Sequence, residues 1–229
     1  MVKAAQILVA MGLLFSAGSL HATDYRLETW ADGLEHPWSI AFLPDGGALV
    51  TELRGTLYRL DGDGKAGEPL INVPPVYFAG QGGLFDVALH PEFEGNRLVY
   101  LSFADGGAAD NCTAVARARL VDGALAEVKV IFRNFTRKDT PVHYGGRLAF
   151  LADGSLLLTT GDGFDYREAA QDIRSGLGKV LRMNDDGTPA AGNPYPQSPY
   201  VFTYGHRNPQ GLAVTESGNI WLHEHGPRG

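Results

Sequence analysis

The chain has 229 residues and a formal net charge of −7, which argues against a general nucleic-acid role because phosphate binding wants a basic face. Thirty glycines and 13 prolines stand among many Val, Leu, Ile, Tyr and Phe residues. That mixture points to short strands joined by many turns, not to a helical bundle or a disordered chain. The fold class expected is all-β.

The chain opens with Lys3, an apolar run from about Ile7 to Phe15, and then small residues ending in "LHA" before Thr23. That run is too short to span a bilayer and reads as a secretory signal over residues 1–22, which predicts a periplasmic or secreted protein without a membrane span after cleavage. Export permits disulfides, but Cys112 is the only cysteine, so the chain forms no internal bridge.

From residue 23 to 229 the dominant feature is a repeat. Four segments align: "SIAFLPDGGALVTE" from Ser39, "DVALHPEFEGNRLVYLS" from Asp86, "RLAFLADGSLLLTT" from Arg147 and "GLAVTESGNIWLHE" from Gly211. Each carries an apolar residue before Ala, a turn of Pro, Asp, Glu or Gly, and a second alternating run, which predicts one hairpin per repeat. The anchors Ile40, Val87, Leu148 and Leu212 are spaced for about four strands per unit, the spacing of propeller blades. "RGTLYRLDGDG", "AVARARLVDGALAEVKVIF" and "GKVLRMNDDGTPA" supply outer strands and turns. The acidic turns lack the downstream glutamate of a calcium loop. The last repeat contains only its first hairpin, so the reading is of an open ring, a C-terminally truncated portion of a longer propeller.

Repeat symmetry carries the hairpin entrances and exits to one mouth. His36, Gln81, His143 and Arg207 enter; Glu52, Asp105, Asp162 and Glu224 to Gly226 leave. His143 and Asp162 flank one hairpin and are expected to be neighbours. A carboxylate beside an imidazole fixes its tautomer, as for a general base, or simply caps a blade; composition and spacing leave both open. Arg207 offers a fixed cation suited to a carboxylate or developing oxyanion, Asn208 a partner for a carbonyl edge, and Gln81 sits among glycines where backbone can approach a flat ligand. His223 and His225 alternate along a strand and so are not a zinc pair. The carbonyls of Gly226 and Pro227 suit a hard cation.

Together "GQGGLFDVALHPEF", "HYGGRLAF", "TTGDG", "GKVLRMNDDGTP", "NPY", "YGHRNPQGLA" and "HEHGPRG" resemble the glucose/sorbosone dehydrogenase family, especially its soluble periplasmic aldose sugar dehydrogenases. The resemblance covers about Tyr25 to Gly229 and implies a propeller of about six blades, of which about four are begun here. It further implies an oxidoreductase that binds pyrroloquinoline quinone (PQQ) with Ca2+ and oxidises aldoses at the anomeric carbon to lactones, passing electrons to an acceptor the sequence does not identify. By motif, His143 matches the catalytic base, Asp162 its orienting carboxylate, and Arg207 a stabiliser of charge on the quinone. Gln81, His143, Arg207 and Asn208 match cofactor contacts, and Gly226 and Pro227 the calcium-holding carbonyls. Val142 stands where glucose-specific members place an acid, which implies broader aldose use. Two other classes compete: a non-catalytic sugar- or protein-binding propeller, and a propeller lactonase or hydrolase using Asp105, Asp162 and Glu224.

Overall fold

A computed structural model describes residues 25–226; the expected signal segment and Pro227 lie outside them. Apart from one short helical turn and one 3-10 turn, the regular structure is antiparallel strand. The strands form four separate sheets in chain order, matching the four repeats. The first blade is β1 (Pro37–Phe42), β2 (Ala48–Glu52) and β3 (Thr56–Leu60). The second is β4 (Leu84–Leu89), β5 (Leu98–Gly107), β6 (Asp110–Val121) and β7 (Ala124–Arg133). The third is β8 (Leu148–Phe150), β9 (Leu156–Thr160), β10 (Lys179–Met183) and β11 (Val201–Tyr204), and the fourth is the hairpin of β12 (Pro209–Val214) and β13 (Ile220–Glu224). Each expected hairpin is therefore the innermost strand pair of a blade.

The core lies between blades. Leu49 and Leu57 of the first blade pack with Leu84, Val87 and Leu101 of the second, while Tyr100 and Val115 of the second meet Leu148, Leu158 and Leu181 of the third. Strands covered on both faces lose the period-two pattern; every residue of β2 and of β9 is buried. In β13, which lacks a neighbouring sheet on its far side among the described residues, Trp221 is 68% exposed.

A repeated hydroxyl sews the inner strands together. Thr51 accepts a hydrogen bond from the Ser39 N–H of its own blade (3.1 Å) and donates to the Phe85 carbonyl of the next (2.6 Å). The same peptide unit continues the series: the Asp86 N–H donates to Ser102 (3.0 Å), which donates to the Gly146 carbonyl. The Arg147 N–H donates to Thr159 (2.9 Å), which reaches the Pro209 carbonyl at 3.4 Å. Because each blade holds the first peptide of the next, the loops between blades are fixed relative to one another, as a site assembled from several loops requires. Asp86 adds a second tie, binding Ser39 on one side and the Leu148 N–H on the other (2.8 Å). Its burial pushes the carboxyl pKa up despite these bonds.

Asp105 is not at a hairpin exit as expected. The β5–β6 ladder runs on to Gly107 and Asp110, placing Asp105 opposite Cys112, where it pairs with Arg133 (2.9 Å) and Arg137 (3.7 Å). It is a structural ion pair on a long hairpin. Cys112 is free and buried, with its thiol pKa raised by burial.

Candidate functional site

His143 lies in the connection from β7 to β8, and Asp162 follows β9. The imidazole Nδ1 and the carboxylate Oδ1 are 2.6 Å apart, and both residues are nearly buried, at 6% and 3% exposure. The backbone forces this meeting. His143 adopts φ 51, its N–H donates to Gln81 Oε1 at 2.8 Å, and the Asp162 N–H donates to the Arg207 carbonyl at 2.8 Å. Gly161 is obligatory between them, since a Cβ there would stand 2.2 Å from the His143 carbonyl oxygen. Asp162 Oδ1 also accepts the Phe164 N–H at 2.8 Å, which orients the carboxylate toward Nδ1.

A carboxylate at Nδ1 accepts that ring proton and leaves the Nε2 lone pair unspent. Nε2 has no hydrogen-bond partner among the described residues. His143 lines a cavity of about 470 Å³ with Asp162, Phe164, Arg167, Gln171, His206 and Arg207. Arg207 is fixed there by its Nη1, which donates to the His225 carbonyl at 3.1 Å, and by Glu224, whose carboxylate accepts its N–H.

Gln81 and Asn208 occupy an adjoining cavity of about 290 Å³, with Trp38, Tyr144, Gly145 and His225 on its walls. Asn208 is 4% exposed; its Oδ1 accepts from the Gly145 N–H and from Gln210 Nε2, both at 3.1 Å. The Asn208 and Gln81 amide nitrogens make no hydrogen bond among the described residues. The structure thus brings His143, Asp162 and Arg207 together in one cavity and sets Gln81 and Asn208 next door, with the Gln81–His143 bond joining them. Gly226 is exposed beside His225, and the described residues contain no group of three or more His, Cys, Asp or Glu side chains able to hold a metal.

Sequence reasoning missed Phe164, Arg167 and Gln171. They belong to the irregular stretch around the 3-10 turn Arg167–Ala170, which has no period to read. It also missed Lys138, buried behind the site: its ammonium lies 3.5 Å from the Tyr144 ring centroid and donates to Asn111 Oδ1 at 3.1 Å and to the Thr140 carbonyl. Burial pulls its pKa down to about 7.

A multi-bladed β-propeller with a histidine–carboxylate pair and a fixed arginine at one mouth is the class that fold and site define. The model of the family described as glucose/sorbosone dehydrogenase matches residues 34–229, and the chain belongs to that family. It is 38% identical to aldose sugar dehydrogenase YliI of Escherichia coli over 97% of this chain and 62% of that protein. It is 29% identical to quinoprotein glucose dehydrogenase B of Acinetobacter calcoaceticus, over 85% of this chain and 47% of the relative. The PQQ-bound structure of an aldose sugar dehydrogenase from Streptomyces coelicolor superposes with a TM-score of 0.76 at 38% identity, covering 87% of this chain and 59% of the other. The chain therefore spans about half to three-fifths of these proteins' lengths.

Proposed function

We propose that the protein is a PQQ-dependent sugar dehydrogenase that oxidises aldoses at the anomeric carbon to lactones, acting outside the cytoplasm after removal of residues 1–22. The observation that carries this reading is the 2.6 Å contact between His143 Nδ1 and Asp162, which leaves Nε2 bare in a cavity also lined by Arg207.

The residues present fit the quinone. A flat, anionic, carbonyl-rich ligand needs donors around its edge, and the free amides of Gln81 and Asn208 lie beside the Arg207 cavity. When bound, PQQ supplies the two-electron acceptor for the anomeric hydride and Ca2+ a Lewis acid at its oxygens. Gln81, His143, Arg207 and Asn208 would hold the quinone, and the backbone carbonyls of Gly226 and Pro227 the calcium.

His143 Nε2 removes the proton of the anomeric hydroxyl, and Asp162 stabilises the resulting imidazolium while keeping the ring in register. Arg207 keeps a permanent positive charge where negative charge gathers, at little reorganisation cost because the His225 carbonyl already holds its guanidinium and Glu224 its backbone N–H. The test is reconstitution of the complete gene product, and of this chain, with PQQ and CaCl2, followed by aldose-dependent dye reduction. The reading expects turnover in the complete product; absence of turnover with every aldose tried overturns it.

A further inference from the structure

Phe164 is an anomaly in the cavity that holds His143. It has φ 66, a left-handed conformation that bulky side chains rarely adopt and that glycine or asparagine fills at less cost. Burial does not offset this strain, since the residue is 43% exposed. Hydrogen bonds hold it on both sides: its N–H donates to Asp162 Oδ1 and its carbonyl accepts from Arg167 Nε, each at 2.8 Å. The ring stands edge-on to the His143 imidazole, 5.3 Å between centroids at 83°, with the Arg167 guanidinium 5.0 Å from its centroid. A strained loop has placed a half-bare apolar surface beside the unpartnered Nε2.

We propose that Phe164 is the specificity-determining platform of this cavity, the surface on which the apolar C–H face of a pyranose lies while its anomeric hydroxyl meets His143 Nε2. A pyranose is amphipathic: its C–H bonds offer an apolar face and its hydroxyls a polar rim. Phe164 covers the first, and the Arg167 and Gln171 side chains on the same wall offer hydrogen bonds to the second. The platform excludes an acyclic polyol, which presents no such face, from an equally good fit. The substrate class rests on the dehydrogenase reading above; the platform is testable without it.

The test uses F164G and F164W in the complete gene product. Glycine removes the ring while relieving the backbone strain, so F164G is expected to melt no lower than wild type. With PQQ, calcium and D-glucose, its KM is expected to rise about tenfold with kcat within about threefold, and F164W is expected to restore KM. An unchanged KM in F164G, or a loss confined to melting temperature, overturns the platform. If wild type turns over no aldose, the dehydrogenase reading fails and saturation-transfer NMR of D-glucose with the cofactor-free protein decides the platform separately. Transfer to the sugar C–H protons from wild type that is lost in F164G supports it; equal transfer in both, or none from wild type, contradicts it.

Discussion

The first and fourth blades end their inner hairpin in the same way, and the third does not. Glu52 pairs with Pro37 across the first hairpin and Glu224 with Pro209 across the fourth, each next to the same irregularity in register. Both carboxylates turn back onto backbone: Glu52 accepts the Glu35 N–H at 2.5 Å, and Glu224 accepts the N–H groups of Arg207 and Asn208 while its Oε1 lies 3.3 Å from His206 Nδ1. In the third blade Thr160 holds that place and donates to the Gly176 carbonyl at 2.7 Å. The carboxylate comes two positions later, as Asp162, and binds an imidazole whose other nitrogen is bare, whereas the imidazole beside Glu224, His206, has its Nε2 engaged by Thr203 at 2.7 Å. One end of the propeller thus uses the same chemical group for two purposes. At Glu52 and Glu224 the carboxylate closes a local network, the His206 ring included, and at Asp162 it holds a histidine whose Nε2 stays free.

The sharpest way to break this contrast is H143A, which is expected to lower kcat by about a hundredfold or more while leaving the fold intact. D162N comes next. The amide retains the shape but presents a donor or a weaker acceptor to Nδ1, so kcat should fall by a factor approaching that of H143A, and steady-state kinetics of the two variants side by side read the difference. E52A should do the opposite, leaving kcat alone and costing about 1–2 kcal/mol of stability in urea unfolding through the orphaned Glu35 N–H. A large kcat effect from E52A would erase the distinction between cap and catalytic pair.

The smallest effect concerns pH. Burial lowers Lys138 to about 7 and Lys179 to about 8, both below the ordinary lysine value, so the unfolded chain binds more protons than the folded one between those values and about 10. Stability should therefore rise with pH across that window and be lowest below pH 7, where both amines are charged while buried. K138M should flatten the rise, checked by urea midpoints at pH 6.5, 8 and 9.5.

Much of this was legible because a propeller writes itself as a repeat. Alternating runs broken by turns of Pro, Asp, Glu or Gly gave each hairpin, and symmetry then placed His143 against Asp162 without any knowledge of the intervening contacts. The recurring hydroxyls at Thr51, Ser102 and Thr159 were present in the aligned segments, but their role needs the next blade in place to be seen. Asp105 was misplaced because the aligned segment stops at Ser102, whereas β5 runs on to Gly107 and pairs there with Asp110 inside a longer hairpin. Phe164 was illegible for a different reason: its importance lies in a positive φ, which an aromatic side chain conceals and a glycine would have announced.

The most direct test of the account is the protonation of His143 itself, read by long-range 15N–1H correlation NMR of the ring in wild type and D162N. The neutral His143 ring in wild type is expected to carry its proton on Nδ1 and leave Nε2 bare, with the preference lost in D162N. A wild-type ring protonated on Nε2, or a tautomer indifferent to D162N, would contradict it.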